Sequence, residues 1–432
     1  MLGFALVVAD DSTMRVPALR PKAAVLMVAA SLGAATLGLA GPASAAEPEV
    51  YPVPADGVFR MQGSGWGHGR GMSQWGAYQA ASTGVLAPDI LAFYYPGTVL
   101  APLPDAQIRV LLAADTGRDL LVRGTPGLTV TQVGRDPIQL PVTPSACSAP
   151  ATRWRVRATA SGMTLAAYCG RWRTVDKVAG TTLEFAAPDG IVGTQNGSAR
   201  RGYRGTITAI RTGSRSLQVV NTLPMELYLR PVVAAEVSPS WPVESLRAQA
   251  IAARSYAAHE ALGRAQKSFD VYDSIRSQAY PGAVWYDSSW RVVRSREHAN
   301  TDAAIADTAG VHVTTTAGVP ALTQFSSSNG GATAASPLPH MMTQADPWDG
   351  TATRNPRLAW TDTVTASSLR ARCRGAGEVS AVRVLAREGA GPWGGRISQM
   401  EIVGASRTCT LATDSAIRAA LGVNSSMLTF TP

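Results

Sequence analysis

The segment from Asn221 to Gly263 constrains the fold of this chain more than any other part of the sequence. It reads as an extended apolar run, an acidic residue at a Pro-rich bend, and a long alanine-rich helix. Pro242 suits the first helical turn and Gly263 suits the C-terminal end. Five residues at three- and four-residue spacing predict one face of this helix: Leu246, Ala250, Ala253, Ala257 and Ala261. Their small side chains let other backbone approach closely.

Glu236 is the candidate catalytic residue of this segment. It follows the apolar run 231–235 and precedes the Pro-containing bend at 237–239. Partial desolvation between such neighbours raises the pKa of a carboxyl and can keep it protonated near neutral pH. A general acid needs this property. The alternative is a loop or helix-cap glutamate in a salt bridge, which is the commoner role of a carboxylate.

The segment resembles the core signature of the stage II sporulation protein D (SpoIID)/LytB domain family. The matching residues are Pro224, Glu226, Tyr228 and Leu229, then Glu236, and then the helix Ala248–Tyr256. The resemblance implies an α+β fold in which a β-rich domain carries a central long Ala-rich helix packed on mixed or antiparallel strands. In the sporulation branch, the glutamate matching Glu236 is the catalytic residue of a lytic transglycosylase acting on peptidoglycan. In the LytB branch, the domain is described as an enhancer of a cell-wall amidase.

A glycine-rich motif, Met61–Ala81, supplies further candidates. Alternating glycines allow a ligand to approach the main chain. Trp66, His68, Gln74 and Trp75 offer the stacking and hydrogen bonding that sugars require. The alternative is a glycine-stiffened turn with a buried histidine. The family resembled here places this motif at the C-terminal end of the domain, so its position before the core implies a permuted order in which it folds back onto the core.

The resemblance also implies the residues that accompany Glu236. The residues that would position Glu236 and the glycan are Gln249, Arg254, Tyr256, Gln278 and Tyr280. Ser326 and Ser327 belong to a stretch, Thr323–Thr333, that resembles the family's Phe-Ser-x-x-x-Gly-Gly-x-Thr motif, and they would line the groove. Serines beside a Gly-Gly turn can alternatively serve only the turn itself.

No metal and no cofactor are expected. Some members of the sporulation branch bind zinc through Cys, His and Cys just before the glutamine that matches Gln278. This chain carries Tyr272, Arg276 and Ser277 there, which are poor zinc ligands.

The chain is therefore predicted to cleave peptidoglycan glycan strands as a lytic transglycosylase. One carboxyl can act as acid and then base because the sugar's own C6 hydroxyl replaces water, whereas hydrolytic glycosidases typically need a pair. A non-catalytic peptidoglycan-binding module or amidase enhancer is the alternative, with a cell-wall amidase as its partner. A hydrolase that pairs Glu236 with Asp349 or Asp273 is a third possibility.

The N-terminus predicts export. Arg15, Arg20 and Lys22 precede the apolar run Ala23–Ala40, and Ala43–Ala45 gives an A-x-A cleavage pattern. A cleaved signal peptide at 1–45 makes the protein secreted and cell-wall associated; an uncleaved segment would anchor it in the membrane. The true start is Met1 or Met14.

Net charge indicates the partners of the exported protein. The signal segment carries three basic and two acidic residues, so the net charge of +9 becomes +8 after cleavage. Scattered arginines, among them the alternating Arg153, Arg155 and Arg157, favour an anionic wall polymer or a membrane surface over nucleic acid. A solvated, solubilising surface is the alternative.

Four cysteines in an exported chain predict two disulfides with three possible connectivities. Cys147 with Cys169 and Cys373 with Cys409 are favoured because each pair brackets a local strand-rich segment. Beyond the signal peptide, the predicted divisions are a Gly-rich segment at 46–104, a β-rich domain or insertion at 105–220, and a SpoIID-like core at 221–432. Within that core, the stretch from Trp290 to Gly310 is predicted to be helical.

Overall fold

The computed structural model describes residues 47–432, so the predicted signal peptide and its cleavage site lie outside the described residues. The described part is a mixed α/β, strand-rich structure with seven α-helices. The helices are α1 (Gln74–Ser82), α2 (Ala87–Tyr94), α3 (Met225–Glu236), α4 (Val243–Gly263), α5 (Ala299–Asp307), α6 (Ala366–Arg372) and α7 (Asp414–Leu421).

Most strands pair antiparallel with neighbours that are close in sequence. The strands are β1 (Glu49–Pro52), β2 (Val58–Gly63), β3 (Met72–Ser73), β4 (Thr98–Pro102), β5 (Gln107–Leu111), β6 (Asp119–Arg123), β7 (Thr129–Thr131), β8 (Ile138–Gln139), β9 (Arg153–Thr159), β10 (Gly162–Tyr168), β11 (Trp172–Val178), β12 (Thr182–Ala186), β13 (Ile191–Asn196), β14 (Ala199–Arg204), β15 (Thr206–Gly213), β16 (Ser216–Pro224), β17 (Val271–Tyr272), β18 (Val284–Tyr286), β19 (Val292–Ser295), β20 (Val311–Thr315), β21 (Phe325–Ser326), β22 (Trp360–Thr365), β23 (Val379–Arg387), β24 (Ile397–Gly404), β25 (Thr408–Leu411) and β26 (Leu428–Thr431).

Two large sheets and the central helices share one hydrophobic core. The eight-stranded sheet has the order β11-β10-β9-β6-β13-β14-β18-β19, and the seven-stranded sheet has the order β17-β5-β16-β15-β12-β7-β8. Val156 and Val192 of the first sheet, Val110 and Val219 of the second, and Leu229 of α3 lie in this core. The core therefore continues across residue 220, where the sequence placed a division.

A second core joins the two ends of the described chain. The sheets β1-β23-β24-β25 and β22-β2-β26 combine the first strands after residue 47 with the last strands of the protein. Phe59 of β2, Val382 of β23 and Ile417 of α7 pack together there. A third cluster packs α1 and α2 against α4 and holds the glycine-rich segment next to the central helix.

The central segment differs from its prediction in one element. The predicted long helix is confirmed as α4, and Pro242 lies at its N-cap. The stretch before it was predicted to be extended, but β16 ends at Pro224 and residues 225–236 form α3. Pro231 lies inside α3, which is unusual because proline removes a backbone donor. Glu236 is the last residue of α3.

The local predictions give mixed outcomes. Both favoured disulfides, Cys147–Cys169 and Cys373–Cys409, are present. The stretch from Trp290 to Gly310, predicted as helical, contains β19 and only the short helix α5.

Candidate active site

Glu236 lies at the C-terminal end of α3 without a cationic partner. Among residues 47–432, no basic side chain forms a salt bridge with it. Gln74 Nε2 donates to its Oε2 and the Ala279 backbone N–H donates to its Oε1, both at 3.4 Å. Burial raises the pKa of the Glu236 carboxyl, and these two hydrogen bonds only partly oppose the shift. A proximal helix C-terminus acts in the same direction as burial because it carries partial negative charge.

The glycine-rich motif reaches Glu236 from a distant part of the chain. β3 pairs in parallel with β21, which aligns Ser73 with Ser326 and places Gln74 at the start of α1. Gly67 and Gly71 adopt positive φ, and a β-carbon would lie 2.8 Å from Ser326 Cβ at Gly67 and 2.1 Å from the Gln324 carbonyl oxygen at Gly71. The glycines are needed for this close approach.

Several predicted site residues are buried but not satisfied by hydrogen bonds within the protein. Gln249 is 1% exposed, and neither its Oε1 nor its Nε2 has a partner. Gln278, next to Ala279, accepts from the Tyr228 hydroxyl at 3.0 Å, but its Nε2 is unpartnered. Ser326 Oγ is also unpartnered. Buried polar groups are normally paired, so these atoms mark where a polar ligand can bind.

Tyr256 shares the electrostatic environment of Glu236. Burial and the negative charges of Glu260 and Glu236 raise the pKa of its phenol above the usual range. The neutral hydroxyl of Tyr256 is therefore available as a hydrogen-bond donor near the candidate acid.

Three aromatic side chains lie beside the site, and two of them were not predicted. Trp75 follows Gln74, and its ring centroid lies 4.8 Å from that of Trp241 and 5.2 Å from that of Tyr78. Trp241 lies five residues after Glu236 in the bend before α4, and its side chain is half-buried. The signal available in the sequence was a tryptophan in a Ser-Trp-Pro stretch close to the candidate acid. Partly exposed aromatic rings of this kind suit stacking against sugar rings.

Two predicted substrate-binding residues are buried supports. Arg254 is 0% exposed and makes a bidentate ion pair with Glu226, at 2.8 and 2.6 Å. Tyr280 stacks on Tyr228 and donates its hydroxyl to Asn221 Oδ1 at 2.6 Å. Neither side chain is available to touch a glycan, because the core already uses its polar atoms.

Trp66 and His68 are engaged elsewhere. The guanidinium of Arg357 lies 3.6 Å from the centroid of the Trp66 ring. His68 Nδ1 accepts from the Arg70 N–H at 3.0 Å. Burial, followed by the charge of Arg70, lowers the pKa of His68 to about 3, and Asp414 of the C-terminal region is a nearby opposing charge. His68 is therefore neutral at physiological pH and lies near charged groups of the C-terminal region.

Ser327 anchors the site through its backbone. Its carbonyl oxygen accepts from the Trp75 N–H at 3.0 Å, which ties the Ser-rich turn to α1. Its side chain is partly buried.

Asp349, a candidate second carboxylate, lies in a closed hydrogen-bond network. Its Oδ2 accepts from Ser328 Oγ at 2.9 Å and from the backbone N–H groups of Gly330 and Gly331, and its Oδ1 accepts from Ser73 Oγ at 2.8 Å. Burial and neighbouring Asp346 raise the pKa of Asp349 to about 6. It is 0% exposed, and these hydrogen bonds already occupy both of its carboxylate oxygens.

Asp273, the other candidate base, lies in the loop that also carries Ala279. Burial raises the pKa of its carboxyl, opposed by the Ala113 N–H and by Arg201. Its carbonyl oxygen accepts from the Tyr280 N–H at 3.2 Å, next to the Ala279 N–H that donates to Glu236.

The loop that binds zinc in some SpoIID/LytB proteins does not offer a zinc ligand set here. The Arg276 guanidinium lies 4.0 Å from the Tyr272 ring centroid, and Ser277 Oγ accepts from the Tyr272 N–H. Within residues 47–432, no cluster of three His, Cys, Asp or Glu side chains is placed to hold a metal. In this loop, the Arg276 guanidinium stacked on the Tyr272 ring provides a contact that does not involve a metal.

An open cleft of about 660 Å³ adjoins the Ser-Gly turn, residues 326–331. Gly330, Gly331, Trp360 and Trp393 help to line it, and Glu236 does not. Size alone therefore does not identify the chemical site. Gln278 and Ser326, which carry unpartnered polar atoms, belong to the segments that adjoin the two donors to Glu236.

Parts of the chain are similar to known proteins. Residues 213–314 match the family of the stage II sporulation protein, SpoIID, and form a SpoIID domain. Over 98 residues, 22% of this chain, the sequence is 42% identical to an uncharacterised protein of Brachyspira hyodysenteriae. Over 42 residues, 10% of this chain, it is 52% identical to the amidase enhancer of Bacillus subtilis. The matched segments span 26% and 6% of those two proteins. No solved structure matches the chain.

The SpoIID family is related to the cell wall and includes lytic transglycosylases. Two disulfides together with the SpoIID domain indicate an exported cell-wall protein. From residue 47 onward, no helix combines the length and apolar character needed to cross a membrane.

Proposed function

We propose that this protein is a secreted lytic transglycosylase that cleaves peptidoglycan glycan strands with Glu236 as general acid and base. The observation that carries the proposal is a carboxyl with a raised pKa that, among residues 47–432, has no basic partner and accepts only two long hydrogen bonds. A structural carboxylate is normally paired, whereas a general acid must hold its proton near neutral pH.

The proposed reaction needs one carboxyl. Protonated Glu236 donates to the glycosidic oxygen as its bond to C1 breaks. The C6 hydroxyl oxygen of the same sugar then bonds to C1, and its proton passes to the Glu236 carboxylate. The products are an anhydro-ended fragment and a fragment with a free hydroxyl, and Glu236 is protonated again.

Neighbouring residues support binding and proton transfer. Gln74 and the Ala279 N–H orient the Glu236 carboxyl. The unpartnered amide of Gln249, the unpartnered Nε2 of Gln278 and the hydroxyl of Ser326 are donors and acceptors for sugar groups. Tyr256 offers a neutral hydroxyl, and Trp75 and Trp241 offer stacking surfaces. Arg254 and Tyr280 act indirectly, because they fix α3 and the 271–280 loop.

A non-catalytic role is the second candidate. It is favoured by the 52% identity to a protein named amidase enhancer, although the match covers 42 residues. Under this alternative, the same groove would hold peptidoglycan or a wall amidase and perform no chemistry.

The deciding experiment is mass spectrometry of purified glycan strands, with and without stem peptides, after incubation with the protein. Anhydro-ended fragments are expected from the wild type. Glu236→Gln is nearly isosteric and removes only the titratable proton, so the rate should fall about 10²- to 10⁴-fold. Gln79→Leu, on the same helix as Gln74, is the matched control and should keep full activity.

Two outcomes would contradict the proposal. Reducing-end fragments would indicate hydrolysis. Absence of cleavage by folded wild-type protein on both substrates would favour the amidase-enhancing role, which is then tested by adding a wall amidase and measuring its rate with and without this protein.

A further inference from the structure

The outer face of the eight-stranded sheet carries a row of arginines that the proposed catalytic function does not use. On β9, Trp154, Val156 and Ala158 point into the core, so the alternating Arg153, Arg155 and Arg157 lie on the opposite face. The β-ladder register extends this face to Arg123 on β6, directly opposite Arg153, and to Arg200 on β14. The row crosses four adjacent strands: β9, β6, β13 and β14.

Aromatic rings alternate with these arginines. The guanidinium carbon of Arg153 lies 4.3 Å from the centroid of the Tyr168 ring, and that of Arg155 lies 4.4 Å from the centroid of the Trp172 ring. At the other end, Arg123 and Arg200 lie 5.7 and 5.6 Å from the Trp290 ring. We call these four arginines and their rings, Tyr168, Trp172, Tyr286 and Trp290, the basic–aromatic face.

Trp290 is held on this face by a costly backbone conformation. It has a φ of 60°, in the left-handed region that a bulky residue seldom adopts. A side chain at Gly193 of β13 would meet the Trp290 ring at 3.1 Å, so the ring lies over the sheet at that glycine. Strained residues of this kind concentrate at functional sites.

The four arginines of the face lack counter-charges. Arg157 pairs with Asp119 and Arg204 with Glu297, but within residues 47–432 no carboxylate lies in salt-bridge range of Arg123, Arg153, Arg155 or Arg200. Like charges directly opposite across a ladder are destabilising, yet Arg123 and Arg153 occupy such a pair. The Nε atoms of Arg155 and Arg200 are buried and unpartnered. An anionic ligand bound to the guanidinium groups would relieve the like-charge repulsion.

We propose that the basic–aromatic face binds a linear anionic cell-wall polymer with phosphodiester repeats. Three inter-strand steps of about 4.8 Å make the row roughly 14 Å long, which suits a chain of charges more than a single ion. A guanidinium stacked on a ring keeps its edge free for bidentate contact with phosphate. A phosphodiester chain carries its charge in its backbone, so it can follow a single row of arginines.

Other polyanions fit the face less well. Single-stranded nucleic acid is bound through bases stacked on open aromatic rings, and here guanidinium groups occupy the rings. The same covering opposes insertion of the rings into a bilayer. An exported cell-wall protein is surrounded by wall polymer rather than by nucleic acid. The assignment is independent of catalysis at Glu236, because none of its residues contacts that site.

The test is fluorescence anisotropy of labelled poly(glycerol phosphate) with the purified protein. The double variant Arg155→Gln/Arg200→Gln should weaken binding at least tenfold at about 0.1 M salt and reduce its salt dependence, since fewer phosphates are neutralised. Arg370→Gln/Arg372→Gln, two exposed arginines of α6 with the same charge change, should alter binding less than twofold.

A charge-conserving variant keeps the test decisive if the glutamine variant does not fold. Arg155→Lys/Arg200→Lys retains both charges but loses the planar fork, so binding should weaken by an intermediate factor. Equal loss in the α6 control would overturn the proposal. So would absence of polymer binding by the wild type, or equal or tighter binding of polygalacturonate, anionic phosphatidylglycerol vesicles or single-stranded DNA.

Discussion

Glu236 and Asp349 are both carboxyls whose pKa is raised mainly by burial, but their surroundings differ. Asp349 accepts from two serine hydroxyls, two backbone N–H groups and Asn355, and it joins the glycine-rich segment to the Ser-Gly turn. Glu236 accepts two hydrogen bonds, each 3.4 Å long. Burial alone therefore does not distinguish a chemical group from a structural one.

The distinguishing property is how many hydrogen bonds the protein itself donates to the carboxylate. At Asp349, every strong acceptor position is used inside the fold, so the group holds two parts of the chain together. At Glu236, acceptor capacity remains, and unpartnered polar atoms of Gln278 and Ser326 belong to the segments that adjoin its two donors. This contrast predicts opposite consequences when each carboxyl is removed.

The largest expected difference is in stability. Asp349→Ala leaves several buried donors without an acceptor, among them the N–H groups of Gly330 and Gly331, and should lower the free energy of unfolding by at least about 3 kcal/mol. Glu236→Ala loses only two long hydrogen bonds and should change it by less than about 1 kcal/mol. Urea unfolding followed by circular dichroism measures both.

Near-ultraviolet circular dichroism before unfolding checks that each variant retains native packing. Equal destabilisation by the two alanine variants would remove the distinction between a structural and a chemical carboxyl. It would show that Glu236 also serves mainly to hold the fold.

The next expected difference appears in the pH dependence of stability. A raised pKa means that folded protein binds more protons at Glu236 than unfolded protein does, between the ordinary and the raised value. The stability from this group is therefore present at low pH and is lost as pH rises through the folded pKa. The Glu236→Gln variant has no titrating group at this position and does not lose this stability. The difference in unfolding free energy, variant minus wild type, should therefore increase from pH 5 to pH 8.

Titration of other groups, including Asp349 with a pKa of about 6, cancels in that difference because both proteins contain them. A difference that stays flat across the pH range would mean that Glu236 titrates normally. It would then lack the property that a general acid requires.

Sequence reasoning succeeded where the determining signals are local. The long helix α4 follows from alanine spacing and Pro242, and the two disulfides follow from short cysteine separations within strand-rich segments. Helix α3 was missed because Pro231 and a β-branched run disguise it, although packing of its apolar face against the large sheets stabilises it.

The composition of the site was less predictable because it depends on partners far apart in sequence. Gln74 and Glu236 are 162 positions apart, and only family resemblance indicated that their segments meet. Arg254 was predicted to bind the ligand, but its guanidinium forms an ion pair with Glu226 of another helix and is not available to the glycan. Likewise, arginines that alternate along a strand do not show which of them has an acidic partner. The pairing of β9 with β6 shows that Arg157 lies opposite Asp119, whereas Arg153 lies opposite Arg123.

The smallest predicted effect concerns Gln74, which links the glycine-rich segment to the candidate acid. Its Nε2–H bond to Glu236 stabilises the ionised carboxyl and so lowers its pKa. Gln74→Leu should therefore raise the pKa of Glu236 further, measured by carbon-13 NMR titration of the labelled carboxyl. The alkaline limb of kcat/KM should shift to higher pH, and the plateau should fall by no more than about tenfold. Gln79→Leu should leave the titration unchanged; an unchanged titration in Gln74→Leu as well would mean that the glycine-rich segment does not tune the acid.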